Sequence, residues 1–444
     1  MFLKVHVKNF KSLIDFEFDL TEKKDYYKEL ALIYGENGSG KTNIVSIFHV
    51  LTETLQTMRV KGVLESLLDK ESDHLPPEEL MRIIRSKIPN IEDIIKKSKT
   101  FDAQENMYLK FDFTIDKKIG SYTLEFNKKE VVYEKLEYLV EKKKAVFFEM
   151  SASDSIINPK LFNSDEYANE IAGKVKKFWG KHTLMSILLN DFMEKNKEYI
   201  LQNVNTNFST VMDAFVNIHC HSNSPLEIAT ASKALPLDGE FFGGIIENKN
   251  ISKLSDVSEI LTSIFSNLYS DIKQLFYKTK KHESGYLEYE LYLKKVISGK
   301  IREIPFEIES SGTKNILGLL PPLFLAIQGQ TVILDEFDTG IHDILIWELF
   351  EKLSEAIKGQ LIVTTHNTLL LETDIENKYL YILIVDQDGN KEINSLDKYE
   401  LRVHKNHNRR SQYLKGLYYG VPFVGNLDFD LVADQLSKIG VASE

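Results

Sequence analysis

Apolar and polar positions alternate with a period of two at the start of the chain. "FLKVHV" and "IDFEFDL" read as half-buried strands, and "ELALIYG" is a more apolar run that ends at Gly35. The period then changes: Ile44, Ile47, Phe48, Leu51 and Leu55 recur at helical spacing between Thr42 and Met58. A further helical stretch is interrupted at Pro76-Pro77. From Met107 to Met150 the runs "YLKFDFTI", "SYTLEF" and "AVFFEM" predict strands, with a hairpin turn over residues 117–120. From Asn158 to Ile297 the pattern is mostly helical, broken by a Gly- and Asn-rich stretch between Gly239 and Asn250. No heptad is sustained beyond a few turns, and no internal repeat is present. Short apolar strands return after Phe306.

The first change of period carries chemistry. Between strand and helix lies "GENGSGKT", Gly35 to Thr42, with four residues separating Gly35 from Gly40-Lys41-Thr42. This is the spacing of a phosphate-binding loop. Backbone N–H groups would curl around the β-phosphate, Lys41 would reach the β- and γ-phosphates, and the Thr42 hydroxyl would bind Mg²⁺. Asn37, Gly38, Ser39, Gly40, Lys41, Thr42 and Asn43 are therefore the candidate ATP-binding residues.

Three later stretches fit the same site. "TVILDEFDTGIH" is an apolar strand ending in Asp335-Glu336, where Asp335 would hold Mg²⁺ and Glu336 would polarise the attacking water. "GQLIVTTHN" is a second such strand, with His366 placed to meet the γ-phosphate or that water. "EIESSGTKNIL" puts two serines and a glycine before an apolar helix, with Ser310 or Ser311 as N-cap and free N–H groups behind it.

Length and charge narrow the picture further. With 444 residues, two or three domains are expected. An apolar content of 43% and a charged content of 27% suit a soluble globular chain, and no apolar run approaches the roughly 20 residues of a membrane span. Cys220 is the only cysteine, which excludes an intramolecular disulfide and points to a cytoplasmic setting. A net charge of -11 argues against whole-surface attraction to nucleic acid, so any such contact is expected through a local basic patch. His404, Lys405, His407, Arg409 and Arg410 form such a cluster, read either as a solvated face or as a docking patch.

Two weaker features stay with structure. "HCH", His219 to His221, has spacing that rarely converges on a metal without a further ligand. "YILIVDQDGN", Tyr381 to Asn390, has the Asp-x-Asp of a Toprim nuclease but reads as a hairpin around an Asp-Gly turn.

Taken in order, "VKNFKSL", the phosphate loop, a long insertion, "ESSGTK", "ILDEFD" and "TTHN" resemble the ABC-type ATPase heads of the SMC, RecF and OLD superfamily. The likeness is closer still to compact prokaryotic ATPases of abortive infection, of the AbiL, RloA and PARIS AriA type. It implies an α/β fold: a P-loop head with a mixed β-sheet, flanking helices and a mostly helical insertion. It also implies a head-to-tail homo-oligomer, in which Ser311 and Gly312 act in trans on ATP held at Lys41, and Lys11 and Ser12 lie near the nucleotide. A separately encoded effector is implied as partner, with a Toprim-type nuclease as the candidate. Thr313, Lys314 and His342 depart from the transporter and SMC forms, and a glutamine of the Q-loop is not placed.

The expected division is 1–60 and 301–395 for the two half-heads, with 61–106 helical, 107–150 β-rich, 151–300 a helical insertion and 396–444 a partner-contact segment. The expected function is an ATP-hydrolysing sensor or regulator in antiphage defence. The alternatives are a RecF/SMC-like DNA-repair ATPase and an ATP-binding scaffold or antitoxin-like protein with little turnover.

Overall fold

The computed structural model describes residues 1–58, 90–141, 143–221, 235–281, 285–399, 408–421 and 428–441. The chain starts with the antiparallel pair β1 (Phe2–Phe10) and β2 (Leu13–Asp19), in which Val5, Val7, Phe16 and Phe18 share one buried face. A short ribbon, β3 (Thr21–Lys23) and β4 (Tyr26–Tyr27), leads to β5 (Leu30–Tyr34), every residue of which is buried. Helices α1 (Lys41–Gln56) and α2 (Ile91–Ser98) follow; the Pro76-Pro77 interruption lies outside the described residues.

Next comes a meander of β6 (Met107–Ile115), β7 (Lys118–Phe126), β8 (Val131–Leu139), β9 (Lys144–Ser151) and β10 (Ser155–Ile157). It joins β1 and β2 in a seven-stranded antiparallel sheet of order β10-β9-β8-β7-β6-β1-β2. The first hairpin turns earlier than expected. Asp116 and Lys117 take the left-handed φ values of 50° and 63° that a two-residue I′ turn demands, and residues 118–120 already belong to β7. β8 is a strand the apolar runs did not reveal, because a buried glutamate, Glu134, interrupts its pattern.

The insertion opens with α3 (Asp165–Phe178), α4 (Leu184–Glu194), α5 (Lys197–Asn203) and α6 (Thr206–Val216), whose N-caps Ser164, Thr183, Asn196 and Asn205 each accept a backbone N–H. β11 (Ile218–His221), β12 (Gly243–Glu247), α7 (Ser252–Leu268), β13 (Ile272–Lys281), β14 (Tyr286–Ile297) and β15 (Lys300–Pro305) complete it. The helical reading of 272–297 is thus corrected. In β14 the buried Tyr289, Leu291 and Leu293 alternate with Glu288, Glu290 and Tyr292, a period of two that makes one face of a four-stranded antiparallel sheet.

The chain then returns to the head through α8 (Ser311–Ile327), β16 (Thr331–Leu334), α9 (Asp343–Leu353), β17 (Gln360–Thr364), β18 (Leu380–Val385), β19 (Lys391–Ser395), α10 (Arg409–Leu414) and α11 (Phe429–Val441). The second main sheet has the order β11-β16-β17-β5-β18-β19, parallel except for the last pair.

Both faces of this sheet are covered. Ala31, Ile33, Ile333, Ile362, Tyr381 and Leu383 belong to the core shared with α1 and the antiparallel sheet. Their neighbours Leu32, Tyr34, Val332, Leu334, Leu361, Val363 and Ile382 belong to the core under α7 and α8. That is why these strands read as unbroken apolar runs and not as alternation. Gln360, fully buried, ties the two sheets together: it accepts the Phe2 N–H at 2.7 Å and donates to the carbonyls of Phe2 and Lys28.

Candidate functional site

The C-terminal ends of β5, β16 and β17 meet at one edge of the parallel sheet, and β17 lies between the other two. From β5 the chain enters the phosphate loop. A side chain at Gly35 would come within 2.8 Å of Ser39 Oγ and 3.1 Å of the Leu383 carbonyl, so only glycine lets the loop close against β18. Gly40, at φ 107°, starts α1 without a side-chain cap, which leaves the first N–H groups of the helix facing the loop. Lys41 is buried, with its Nζ donating to the carbonyls of Gly35 at 2.8 Å and Glu36 at 3.0 Å. Burial pushes its pKa down, against the opposing charges of Glu336, Asp335, Asp338 and Glu36. Ser39 Oγ is 1% exposed as a residue and makes no hydrogen bond among the described residues.

Asp335 follows β16 directly and is 5% exposed. Thr364, the last residue of β17, organises both acids: its Oγ1 donates to Asp335 Oδ1 at 2.6 Å and accepts the Glu336 N–H at 2.7 Å. Glu336 is held in the left-handed region at φ 43°, unusual for a glutamate and common where a site fixes a side chain's direction. His366 Nε2 stands 4.0 Å from Glu336 Oε1. Burial holds the His366 imidazole below its ordinary pKa, helped by Lys41 and opposed by Asp338, Glu336 and Asp335.

The stretch "ESSGTK" lies elsewhere. Ser310, not Ser311, is the N-cap of α8, its Oγ accepting the Thr313 N–H at 3.2 Å. Ser311 and Gly312 form the first turn. A Cβ at Gly312 would lie 3.1 Å from the Gly340 carbonyl, and Asn315 Nδ2 donates to the Thr339 carbonyl at 3.1 Å, so the helix start is docked on the turn that follows the acids. Among the described residues no hydrogen bond or ion pair joins Ser311 or Gly312 to the phosphate loop of the same chain. A shallow hollow of 540 Å³ opens beside them, between Tyr269, Gly312, Gly340, His342 and Ile344.

Residues 214–372 match the family model described as "AAA domain, putative AbiEii toxin, Type IV TA system". Among solved structures, the chain is similar to an SMC head bound to the C-winged helix domain of ScpA, at 15% identity and a TM-score of 0.47 over 89% of this chain and 99% of that one. It is also similar to the SMC head domain from Thermotoga maritima, at 15% identity and TM-score 0.38 over 89% and 98% of the two chains. A third is the SMC head with an extended coiled coil bound to the C-terminal domain of ScpA derived from Pyrococcus furiosus, at 14% identity and TM-score 0.40 over 94% and 99%. No curated protein matches the chain. The fold itself is α/β, a mostly parallel sheet with helices on both faces and a phosphate-loop sequence between β5 and α1.

Lys11 and Ser12 flank the phosphate loop. Lys11 Nζ donates to Ser46 Oγ at 2.7 Å and feels the charge of Asp335, and Ser12 Oγ accepts Asn43 Nδ2 at 2.6 Å. Asn37 and Gly38 form the exposed tip. Lys41, Asp335, Glu336 and His366 meet at one edge of the parallel sheet, while no hydrogen bond or ion pair among the described residues joins Ser311 or Gly312 to them.

Three residues at this candidate site were not visible in the motifs. Asp338 Oδ2 accepts Thr365 Oγ1 at 2.7 Å and the N–H groups of Asn367 at 2.9 Å and His366 at 3.3 Å, which pins the turn that carries His366. The second aspartate of "DEFD" was its only signal. Thr364 was hidden because its two bonds span strands distant in sequence. Lys391 arrives from the β18–β19 hairpin.

Other expectations find a structural place. The "YILIVDQDGN" stretch is the β18–β19 hairpin, with Asp386 Oδ1 accepting the N–H groups of Asp388 and Asn390. "HCH" is strand β11: His219 Nε2 meets Gln330 Oε1 at 2.5 Å, His221 is buried, and burial pushes the Cys220 thiol up. Among the described residues no group of His, Cys, Asp and Glu suits a metal ion through three or more of them.

Of the basic cluster, His404, Lys405 and His407 lie outside the described residues, and Arg409 is half-buried with its guanidinium turned onto its own chain. Its guanidinium donates to the carbonyls of Leu371 at 2.9 Å, Ile375 at 2.5 Å and Thr373, and to Asn377 Oδ1 at 3.2 Å. Arg410 Nε donates to Thr368 Oγ1 at 3.0 Å. Both arginines clasp the segment that follows His366. Among the described residues no helix is long and apolar enough to cross a membrane.

Proposed function

We propose that this protein is a Mg²⁺-dependent ATPase switch that pairs head to tail and regulates a separately encoded effector in antiphage defence. The observation that carries the reading is the convergence of Lys41, Asp335, Glu336 and His366 on one edge of the parallel sheet, beside a loop whose buried Ser39 hydroxyl has no hydrogen-bond partner among the described residues.

In this reading the triphosphate replaces the loop carbonyls that now hold Lys41. Mg²⁺ fits at Thr42 and Asp335: Thr42 is exposed at the helix start, and Asp335 Oδ2 accepts no hydrogen bond among the described residues while Oδ1 is fixed by Thr364. Bound there, the ion would offset phosphate charge. Glu336 takes the proton of the attacking water, and His366 positions that water or the γ-phosphate. Residues 1–60 and 301–395 act as the two half-heads, and the insertion over 151–300 separates them.

Ser311 and Gly312 make no hydrogen bond to their own loop among the described residues, which is compatible with their use on the nucleotide of a second copy. Such pairing would couple ATP binding to assembly. The AbiEii-type match over 214–372 supports the defence role, and effector control follows from the resemblance given above.

The test is hydrolysis of labelled ATP by the full chain. Lys41→Ala should abolish binding. Glu336→Gln should keep binding and lower kcat by about 10²–10⁴-fold. Turnover of Glu336→Gln at the wild-type rate would remove Glu336 as the base. For pairing, a mixture of Ser311→Arg and Lys41→Ala should recover about one working site per dimer; no recovery from two folded variants would sink the shared site.

A further inference from the structure

The hairpin β18–β19 returns the chain to the loop edge of the sheet. β18 runs parallel beside β5, and Lys391, the first residue of β19, pairs with Val385 at the end of β18. Lys391 is thereby delivered over the phosphate loop from a segment 350 positions beyond Lys41 (391 minus 41). Its Nζ lies 2.5 Å from Ser12 Oγ, the hydroxyl that Asn43 Nδ2 also contacts. A Cβ built on Gly40 would sit 2.7 Å from that Nζ and 3.3 Å from Lys391 Cδ, so the lysine lies directly on the loop backbone at the start of α1. Glycine is needed there twice, for its φ of 107° and for this approach.

The charge of Lys391 is uncompensated. Among the described residues it has no carboxylate within ion-pair distance, and one neutral hydroxyl is its hydrogen-bond partner. Burial depresses its pKa and no neighbouring charge counters that, whereas four carboxylates act on Lys41. Lys391 thus sits against Gly40 and Ser12 at the start of α1, while the described ion pairs give it no acid. A half-buried ammonium with no anion costs stability unless an anion arrives. The loop beneath it is built to receive one.

We infer that Lys391 is a second phosphate-binding lysine, which contacts the α-phosphate side of a nucleoside di- or triphosphate while Lys41 takes the β- and γ-phosphates. Ser12 and Asn43 hold its ammonium in place. The assignment rests on the nucleotide-binding reading above and adds a group to it. The α-phosphate is common to ADP and ATP, so Lys391 strengthens both alike, unlike a residue that senses the γ-phosphate.

The experiment is calorimetric titration of the full chain, and of Lys391→Met and Lys391→Arg, with ADP and with the non-hydrolysable analogue AMP-PNP, together with melting of the nucleotide-free proteins. Lys391→Met should weaken both ligands by about tenfold or more, by the same factor, as expected for a lost charge-assisted contact. Its Tm without nucleotide should equal or exceed that of the wild type, because an unpaired ammonium is removed. Lys391→Arg should restore most of the affinity. Unchanged ADP affinity in Lys391→Met, or weakening of AMP-PNP alone, would overturn the assignment. So would a fall in Tm with affinity restored by neither side chain, since that marks a purely structural lysine. If the wild type binds neither ligand, the nucleotide reading itself fails and this inference with it; wild-type binding with an unaffected variant fails the lysine alone.

Discussion

The carboxylate of Glu134 in the antiparallel sheet and the hydroxyl of Ser39 in the phosphate loop are almost equally buried, yet among the described residues one is saturated with partners and the other has none. Glu134 is 0% exposed and accepts four hydrogen bonds: from Tyr122 at 2.8 Å, Trp179 at 3.0 Å, and the N–H groups of Leu184 at 2.6 Å and Met185 at 3.2 Å. Burial still raises its pKa, against those four bonds. The carboxylate caps α4 from β8 and so fastens the insertion to the sheet. At the phosphate loop, among the described residues, Ser39 Oγ has no partner and Lys391 a single hydroxyl, and Glu336 is held at a positive φ. Glu134, which serves the fold, is closed off by its partners. The loop groups are left open at a cost in stability, as expected where a ligand completes the set.

The contrast can be broken most forcefully at Glu134. Glu134→Ala strips four buried donors of their acceptor and should cost at least about 3 kcal/mol, read as a lower urea midpoint. A change below 1 kcal/mol would mean that water or neighbouring groups replace the carboxylate.

His221 is a buried group of the open kind, its Nε2 unpartnered and its carbonyl accepting the Asp335 N–H at 3.0 Å. Burial pushes its pKa to about 4 from an ordinary 6.5, with His219 and His49 adding to the effect. Because the folded-state pKa is depressed, the unfolded chain takes up the proton first as pH falls. Stability contributed by the neutral ring is full above about pH 6.5 and is lost between there and about pH 4. The loss should approach 3 kcal/mol as an order of magnitude, and His221→Phe should flatten it. Equal pH profiles for the two proteins would remove His221 as the source.

Arg409 is a closed group that looked open in the sequence. Arg409→Met should cost roughly 2 kcal/mol by orphaning the carbonyls of Leu371, Thr373 and Ile375. It should also lower turnover by loosening the segment behind His366. Wild-type stability with weakened partner binding would restore the docking reading. The smallest effect is expected at the loop: Ser39→Ala should change stability by less than about 0.5 kcal/mol in nucleotide-free protein, while weakening ADP. A larger loss would show that its hydroxyl already has a partner.

How much of this was legible beforehand follows from how locally each feature is encoded. The phosphate loop needs a strand, a glycine spacing and a helix within 25 residues (Leu32 to Gln56), and all three were readable in place. The acids and His366 each follow an apolar run, because the centre of a strand buried on both faces favours apolar residues and charge is placed beyond its end. The sheet at 272–305 was missed because only one of its faces is buried, and long charged side chains such as those of Lys278 and Lys294 blur the alternation. β8 was missed for the converse reason, a charged residue turned inward.

The sequence by itself determined the strand, loop and helix that can hold a phosphate, and the acids that follow a buried strand. These are short-range consequences of periodicity and of glycine's freedom at positive φ. Only the tertiary structure decided which side chains meet: Gln360 joining the two sheets, Asp338 under His366, Arg409 turned inward, and Lys391 carried over Gly40. Those pairings depend on strand order and on a hairpin's return path. Residues hundreds of positions apart leave no local mark of such a meeting, because the energy of a hydrogen bond or an unpaired charge exists only once both groups are brought into one desolvated place.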